Sequence, residues 1–439
     1  MRDLPIISDT IKLYNLKRVL SIQFKQKELI QKLQLKKLKN IVQYAYKHVP
    51  FYRKYWKKNG FHPSKLKTLD DIGKIPPINK QIIKRNYNDF ISIDFRDYTD
   101  IMEFKNVFLF MRSTSGTTGK PLRIYLNYAA KYYLDSVYTR ALMNIGYKPT
   151  KPLLYFWWKK YPDRSVYHSF GLFRKIYVPI SWTEEKQLEL IMKIKPEYIY
   201  YYPSALYIMS RIILKENIDI GFKPKLIITH AELLTEKMRK KIENAFDTKV
   251  YDQYGSGESV KMAWECKERN GYHIDADAVF VEITDDKFEE VDYGETGKVL
   301  LTSFVNKAMP LIRYEIGDYA TKADHDQMEH KCGINLPVYI KRIEGRYEHS
   351  IKKKKKLLTQ RMLLEKFQNV LDDINSIIKY QIFINESIKT ATIYIETKKR
   401  IKNVNKKIPR TITGFKTKVI NHKIFKNKKT GKIILLEKK

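Results

Sequence analysis

Cysteine is nearly absent from this sequence, with two among 439 residues. A disulfide scaffold is thereby excluded, and the usage fits a reducing, cytoplasmic setting. Also missing is any run of about 18 uncharged apolar residues, so no transmembrane helix is expected. The first residues lack the apolar core of a signal peptide, and no internal repeat falls at solenoid periods. Acidic residues are scarce at both ends. Residues 1–100 carry 22 basic and 9 acidic side chains, and residues 351–439 carry 25 and 6. The middle, 101–350, is nearly balanced at 37 against 33. Such ends raise nucleic acid or an anionic membrane as partners. Lysine interspersed with isoleucine and asparagine equally fits an A+T-rich genome, so no stable nucleic-acid complex is expected.

What is present supports a large core. Hydrophobic residues make up 43% and aromatics 13% of the chain, and its length fits two or three domains. From Ile11 to about Lys58 the pattern is helical, with Leu35, Leu38, Ile41 and Val42 at three- and four-residue steps and a stop at His48-Val49-Pro50. Strands at Leu153–Trp158, Tyr198–Tyr202, Leu226–Thr229 and from Val250 alternate with helices at Gln187–Ile194, Ala205–Glu216 and Thr235–Phe246. That alternation predicts βαβ units and a mostly parallel sheet. After Gly271 the segments Phe280–Thr284 and Gly297–Ser303 have an antiparallel or barrel-like character. A break at Gly345-Arg346, followed by five lysines (352–356), precedes a helix near Thr359–Val370 and strands at Tyr380–Ile384 and Ala391–Glu396. The expected architecture is α/β: a large domain over 1–345 containing a small β-barrel-like module, and a small mobile α+β domain over 346–439.

The string Arg112-Ser-Thr-Ser-Gly-Thr-Thr-Gly-Lys-Pro121 packs hydroxyls, two glycines and a lysine into a turn after an apolar run. Its glycines let backbone N–H groups converge and its side chains add donors, which suits a polyphosphate. It is not a Walker A loop, because only two residues separate Gly116 from Gly119 and Pro121 follows Lys120. Separately, Cys266-x6-His273 and His330-x-Cys332 make a Cys₂His₂ set suited to tetrahedral zinc. The 56 residues between His273 and His330 are unlike a zinc finger, and two unlinked thiols are the alternative.

Ser115-Gly-Thr-Thr-Gly-Lys-Pro121 resembles the phosphate-loop signature of the adenylate-forming, or acyl-CoA synthetase, superfamily. Four further segments resemble that family in the required order: Tyr254-Gly-Ser-Gly-Glu258, Arg313-Tyr-Glu-Ile-Gly-Asp318, Gly345-Arg346 and Thr430-Gly-Lys432. Tyr44-Ala-Tyr-Lys-His-Val-Pro-Phe-Tyr-Arg53 and Pro310-Leu-Ile-Arg-Tyr look like the phenylacetate-CoA ligase and CapK-like branch. The resemblance covers about residue 35 onward.

It implies an ATP-dependent, AMP-forming ligase. A carboxylate attacks the α-phosphorus of ATP, giving an acyl-adenylate and pyrophosphate; CoA, or an amine or sugar acceptor, then displaces AMP. Ser115, Gly116, Thr117, Thr118, Gly119 and Lys120 would cradle the β- and γ-phosphates. Tyr254 and Gly255 would lie against adenine, with Glu232 of His230-Ala-Glu232 on the adenine side. Glu258 would hold Mg²⁺, and Asp318 would accept from the ribose hydroxyls. Arg346 would assist near the ribose, and Lys432 would reach the α-phosphate and the attacking carboxylate. The branch also implies a structural zinc on Cys266, His273, His330 and Cys332, and a role in capsule or surface polysaccharide assembly.

Three points depart from the family pattern. Gly257 replaces a frequent threonine, His330 replaces a cysteine, and the segment after Arg346 lacks the glycine loop that helps bind CoA. A degenerate nucleotide-binding member, or a basic nucleic-acid or membrane-binding protein, therefore stands as the alternative. Tyr155-Phe-Trp-Trp158 reads either as an acyl pocket or as ordinary core. The identity of the acid and the oligomeric state are not legible.

Overall fold

The computed structural model describes residues 5–97, 109–113, 122–157, 165–258, 261–324, 331–353, 356–374, 376–397, 407–424, 432–433 and 435–438. The chain forms two compact units: Met1–Gly146 with Arg164–Phe170 and Gln253–Arg342, and Tyr147–Asp163 with Gly171–Asp252 and Ile343–Lys439. Among the described residues no helix is long and apolar enough to cross a membrane.

In the first unit the continuous helical pattern from Ile11 to Lys58 is divided among three helices, Pro5–Ile22, Lys27–His48 and Pro50–Lys58. The break at Val49 is the one proline dictates: Val49 is extended, and Pro50 opens the next helix. The earlier break, at residues 23–26, carries no glycine or proline. Tertiary contacts make it: buried Gln23 accepts from Asn144 Nδ2 through its side chain (2.7 Å) and from the Asn335 N–H through its carbonyl (2.8 Å).

The helix Tyr128–Asn144 packs against the first helix and supplies Arg140, which is fully buried. Its guanidinium donates to the Val19 carbonyl (3.0 Å) and lies 2.7 Å from both Asp275 and Asp277. Lys37 Nζ donates to the Asp277 carbonyl (2.5 Å). A charge so completely removed from water persists only when paired in this way. Beside this node the strands Val279–Thr284, Thr296–Ser303 and Tyr314–Lys322 form an antiparallel meander, with Val281 opposite Leu301 and Leu301 opposite Tyr314. The antiparallel character expected after Gly271 is therefore present.

The second unit holds the expected βαβ repeat. Parallel strands run in the order Lys175–Pro179, Leu153–Trp157, Tyr198–Tyr201, Leu226–His230. Helices Glu184–Ile194, Pro203–Glu216 and Glu236–Phe246 follow three of them. Thr183 and Thr235 cap two helix starts through their hydroxyls, while Lys195, Asn217 and Asp247 end the helices in the left-handed region.

The C-terminal part of this unit sets the helix Gln360–Leu371 beside a sheet. That sheet is ordered Thr411–Ile412, Phe415–Asn421, Thr390–Thr397, Ile377–Asn385, Leu436–Lys438. Leu363, Phe367, Ile382 and Ile393 share one buried cluster with Leu206, Ile213 and Ile242. Buried Arg211 joins the two parts, lying 2.5 Å from Asp372 and donating to the Ile377 carbonyl (2.5 Å). Tyr207 donates to the same carboxylate.

Candidate functional site

In the first unit the segment Tyr254-Gly-Ser-Gly-Glu258 leaves the end of a strand and is tied at both ends to Tyr314–Lys322. The Tyr254 hydroxyl donates to Asp318 Oδ2 (2.8 Å), and the Tyr314 hydroxyl donates to Glu258 Oε1 (3.0 Å). Tyr314 and Asp318 are four apart on one strand, on either side of Gly317, whose φ of 93° marks a register shift against the strand Thr296–Ser303. Tyr254, Glu258 and Asp318 are each 8% exposed. Two acidic groups and an aromatic ring are thus held in fixed relation, able to present oxygen ligands, a hydroxyl acceptor and a ring face.

Arg313, in the same signature, does not join them. Its Nε donates to Glu282 (2.9 Å) and its other nitrogens to the carbonyls of Gly73, Ile75 and Phe288. It fixes the backbone that carries Asp318. The sequence gives Tyr314 no role of its own; its position four residues before Asp318 is the one signal it carries.

Close by in sequence, Cys266, His273 and Cys332 bring their ligand atoms within 4.8 Å of one another. His273 Nδ1 lies 2.7 Å from the Leu336 carbonyl, which makes that nitrogen the donor and aims Nε2 at Cys332 Sγ, 3.5 Å away. The indole of Trp264 stacks on the ring at 5.1 Å. Bonds of about 2.1–2.3 Å to a tetrahedral zinc put neighbouring ligands about 3.6 Å apart, so this trio fits such an ion. A hydrogen bond with Cys332, then burial, pushes the Cys266 thiol above its ordinary range.

The second unit gathers different candidates. After the strand Leu226–His230 the chain turns through Ala231, whose φ of 62° is the left-handed region that alanine seldom adopts. Its carbonyl accepts from Lys432 Nζ (2.5 Å), and the same ammonium lies 5.3 Å from the centre of the Tyr202 ring. Glu232 Oε2 accepts from the Ser204 N–H (3.1 Å) at the start of the helix Pro203–Glu216. Burial, then the Glu232 charge, raises the Tyr202 hydroxyl well above its ordinary range.

An aromatic row leads away from this point. Tyr202 lies against His230, His230 stacks on Tyr200 (4.1 Å), and Tyr200 stacks on Tyr155 (5.0 Å). Phe156, next along, is wholly buried against Tyr201. The string at 155–158 thus divides between a row leading to Lys432 and plain core, with Trp158 outside the described residues.

Gly345-Arg346 also lies in the second unit. Gly345 has φ 92°, and a Cβ there would collide with the Gln360 side chain. Gln360 accepts from the Arg346 N–H (2.8 Å) and donates to the Leu436 carbonyl (3.1 Å), binding the break to the last strand. The turn bearing Ser115, Gly116, Thr117, Thr118, Gly119 and Lys120 lies outside the described residues, as does His330.

Comparison with family models gives no match. The fold is nevertheless that of adenylate-forming acyl-CoA ligases. A 2-hydroxyisobutyryl-CoA ligase solved with 2-HIB-AMP superposes with a TM-score of 0.70 at 20% identity, over 91% of this chain and 88% of that one. Protein CapK of Staphylococcus aureus is 28% identical over 394 residues, spanning 82% of this chain and 80% of the relative. The phenylacetate-coenzyme A ligase of Aromatoleum evansii is 30% identical over 312 residues, or 66% of each chain. The chain belongs to the adenylate-forming superfamily, in the branch of CapK and the phenylacetate-CoA ligases. It spans about two thirds of the length of the phenylacetate-CoA ligases it matches.

Proposed function

We propose that this protein activates a carboxylic acid with ATP in the cytoplasm and passes the acyl group to CoA. In the first step a carboxylate oxygen bonds to the α-phosphorus as the bond to pyrophosphate breaks. In the second the CoA thiolate attacks the acyl carbon and AMP departs. Carboxylate and triphosphate repel one another, so the protein's contribution is alignment and charge stabilisation.

Tyr254 and Gly255 take the adenine face, Asp318 the ribose hydroxyls and Glu258 the magnesium ion, which neutralises phosphate charge when bound. Ser115, Gly116, Thr117, Thr118, Gly119 and Lys120 take the phosphates. Lys432 stabilises charge on the reacting carboxylate, with Arg346 and Glu232 supporting the nucleotide. Cys266, His273 and Cys332 hold a structural zinc, with His330 as the fourth ligand. The row Tyr155, Tyr200, His230, Tyr202 suits a flat or apolar acyl group. Surface-polysaccharide assembly, with an amine or sugar as acceptor in place of CoA, is the variant suggested by the likeness to CapK.

The observation that carries this reading is the double attachment of the Tyr254–Glu258 segment: its ring to Asp318 and its carboxylate to Tyr314. Acid-stimulated pyrophosphate release from ATP, across a panel of aryl and acyl acids, tests it. Release with at least one acid is expected. No release with any acid, together with no ATP binding, rejects the reading.

A further inference from the structure

Five of the eleven large apolar side chains exposed among the described residues cluster in residues 11–29: Ile11, Leu13, Tyr14, Phe24 and Leu29. The first helix explains part of this. Leu16, Val19 and Ile22 are buried on one side. At 3.6 residues per turn, positions 13, 14, 17, 18 and 21 span an arc of about 140° on the opposite side. Leu13 is 50% and Tyr14 69% exposed, and Lys17 and Arg18 beside them are exposed too.

Both ends of that helix carry a clamped turn with a phenylalanine in water. At its C-terminal end Asn335 donates to the carbonyls of Phe24 (3.4 Å) and Lys25 (3.0 Å), yet the Phe24 side chain is 61% exposed. At its N-terminal end the buried Asp9 carboxylate accepts from Ser165 Oγ (2.9 Å) and the Val166 N–H (2.8 Å). That fixes the short helix Val166–Ser169, and Phe170 just beyond it is 74% exposed. A backbone held on several polar contacts while its ring stays in solvent is arranged to present that ring.

The charge around this face decides its partner. Residues 10–36 carry seven basic side chains and one acidic, Glu28. A second copy meeting this face symmetrically would oppose like charges. A nucleic acid would leave Leu13 and Leu29 without a role. Exposed aromatic and aliphatic side chains flanked by lysines match an anionic lipid surface, where rings enter the headgroup boundary and ammonium groups meet lipid phosphates. We propose that the outer face of the first helix, with Phe170 and Phe24 at its ends, seats this protein peripherally on an anionic bilayer. This does not rest on the ligase reading.

The test is co-sedimentation of the full chain with vesicles of phosphatidylcholine containing one third phosphatidylglycerol, against phosphatidylcholine alone. Binding to the anionic vesicles is expected, weakened by salt. Tyr14→Ser with Phe24→Ser and Phe170→Ser should lower the partition about tenfold or more with circular dichroism unchanged. Lys17→Glu with Arg18→Glu, at exposed positions, should do the same with circular dichroism unchanged. Three results would overturn the proposal. One is no binding by the unmodified protein. Another is binding that both variants retain, which would shift the contact to the lysine-rich segment 351–439. The last is a vesicle-free dimer that the aromatic variant dissolves.

Discussion

The two units treat their candidate groups differently. In the first, side chain meets side chain on the strands and in the turns that flank them: Tyr254 with Asp318, Tyr314 with Glu258, Arg313 with Glu282. In the second, Lys432 precedes the last strand and meets a backbone carbonyl and a ring face, and buried ion pairs form at Arg211 with Asp372 and Lys379 with Glu184. The first arrangement fixes geometry before any ligand arrives and suits recognition of a nucleoside. The second anchors the C-terminal sheet through a buried ion pair and sets the lysine's ammonium against the Ala231 carbonyl and the Tyr202 ring.

The sharpest way to test that contrast is to remove the anchor of the second unit. Arg211→Met leaves the buried Asp372 carboxylate without its main partner and should cost about 3–5 kcal/mol of stability in denaturant unfolding. An unchanged midpoint would show that the pairing does not hold the C-terminal sheet. Next in size, Lys432→Ala should lower pyrophosphate release about 10²–10³-fold while leaving ATP affinity nearly unchanged. A loss of ATP affinity instead would merge the roles that the contrast separates.

In the first unit, Asp318→Ala should raise the KM for ATP about 10- to 100-fold, the value of hydrogen bonds to a charged acceptor. Tyr314→Phe should weaken magnesium-dependent ATP binding by a smaller factor, about fivefold, by releasing Glu258 from its donor. The smallest effect concerns Lys37, whose burial lowers its pKa to about 8. The unfolded chain then binds the extra proton above that value, so stability should rise with pH between about 8 and 10. Lys37→Met should flatten that rise in thermal melts.

Much of the contrast was legible in the sequence because each signature is short and contiguous. Tyr254–Glu258, Arg313–Asp318 and Lys432 announce themselves within a few residues, and the βαβ alternation is carried by local periodicity. What stayed hidden is set by long-range register. Tyr314 finds Glu258 only because two distant segments align, and Arg211 meets Asp372 across 161 residues. Likewise the turn at residues 23–26 is imposed by Asn144 and Asn335 on a sequence that reads as uninterrupted helix. Arg313 opens the signature that ends at Asp318, and its partners, Glu282 and the carbonyls of Gly73, Ile75 and Phe288, show that it supports the strand.

The central claim is that Tyr254, Glu258 and Asp318 form a nucleoside and metal site held on the strand Tyr314–Lys322. Calorimetric titration of the full chain with magnesium-ATP, comparing the unmodified protein with Asp318→Asn, addresses it most directly. The account expects saturable binding that weakens at least about tenfold in the variant. Equal affinity in the two proteins would contradict it.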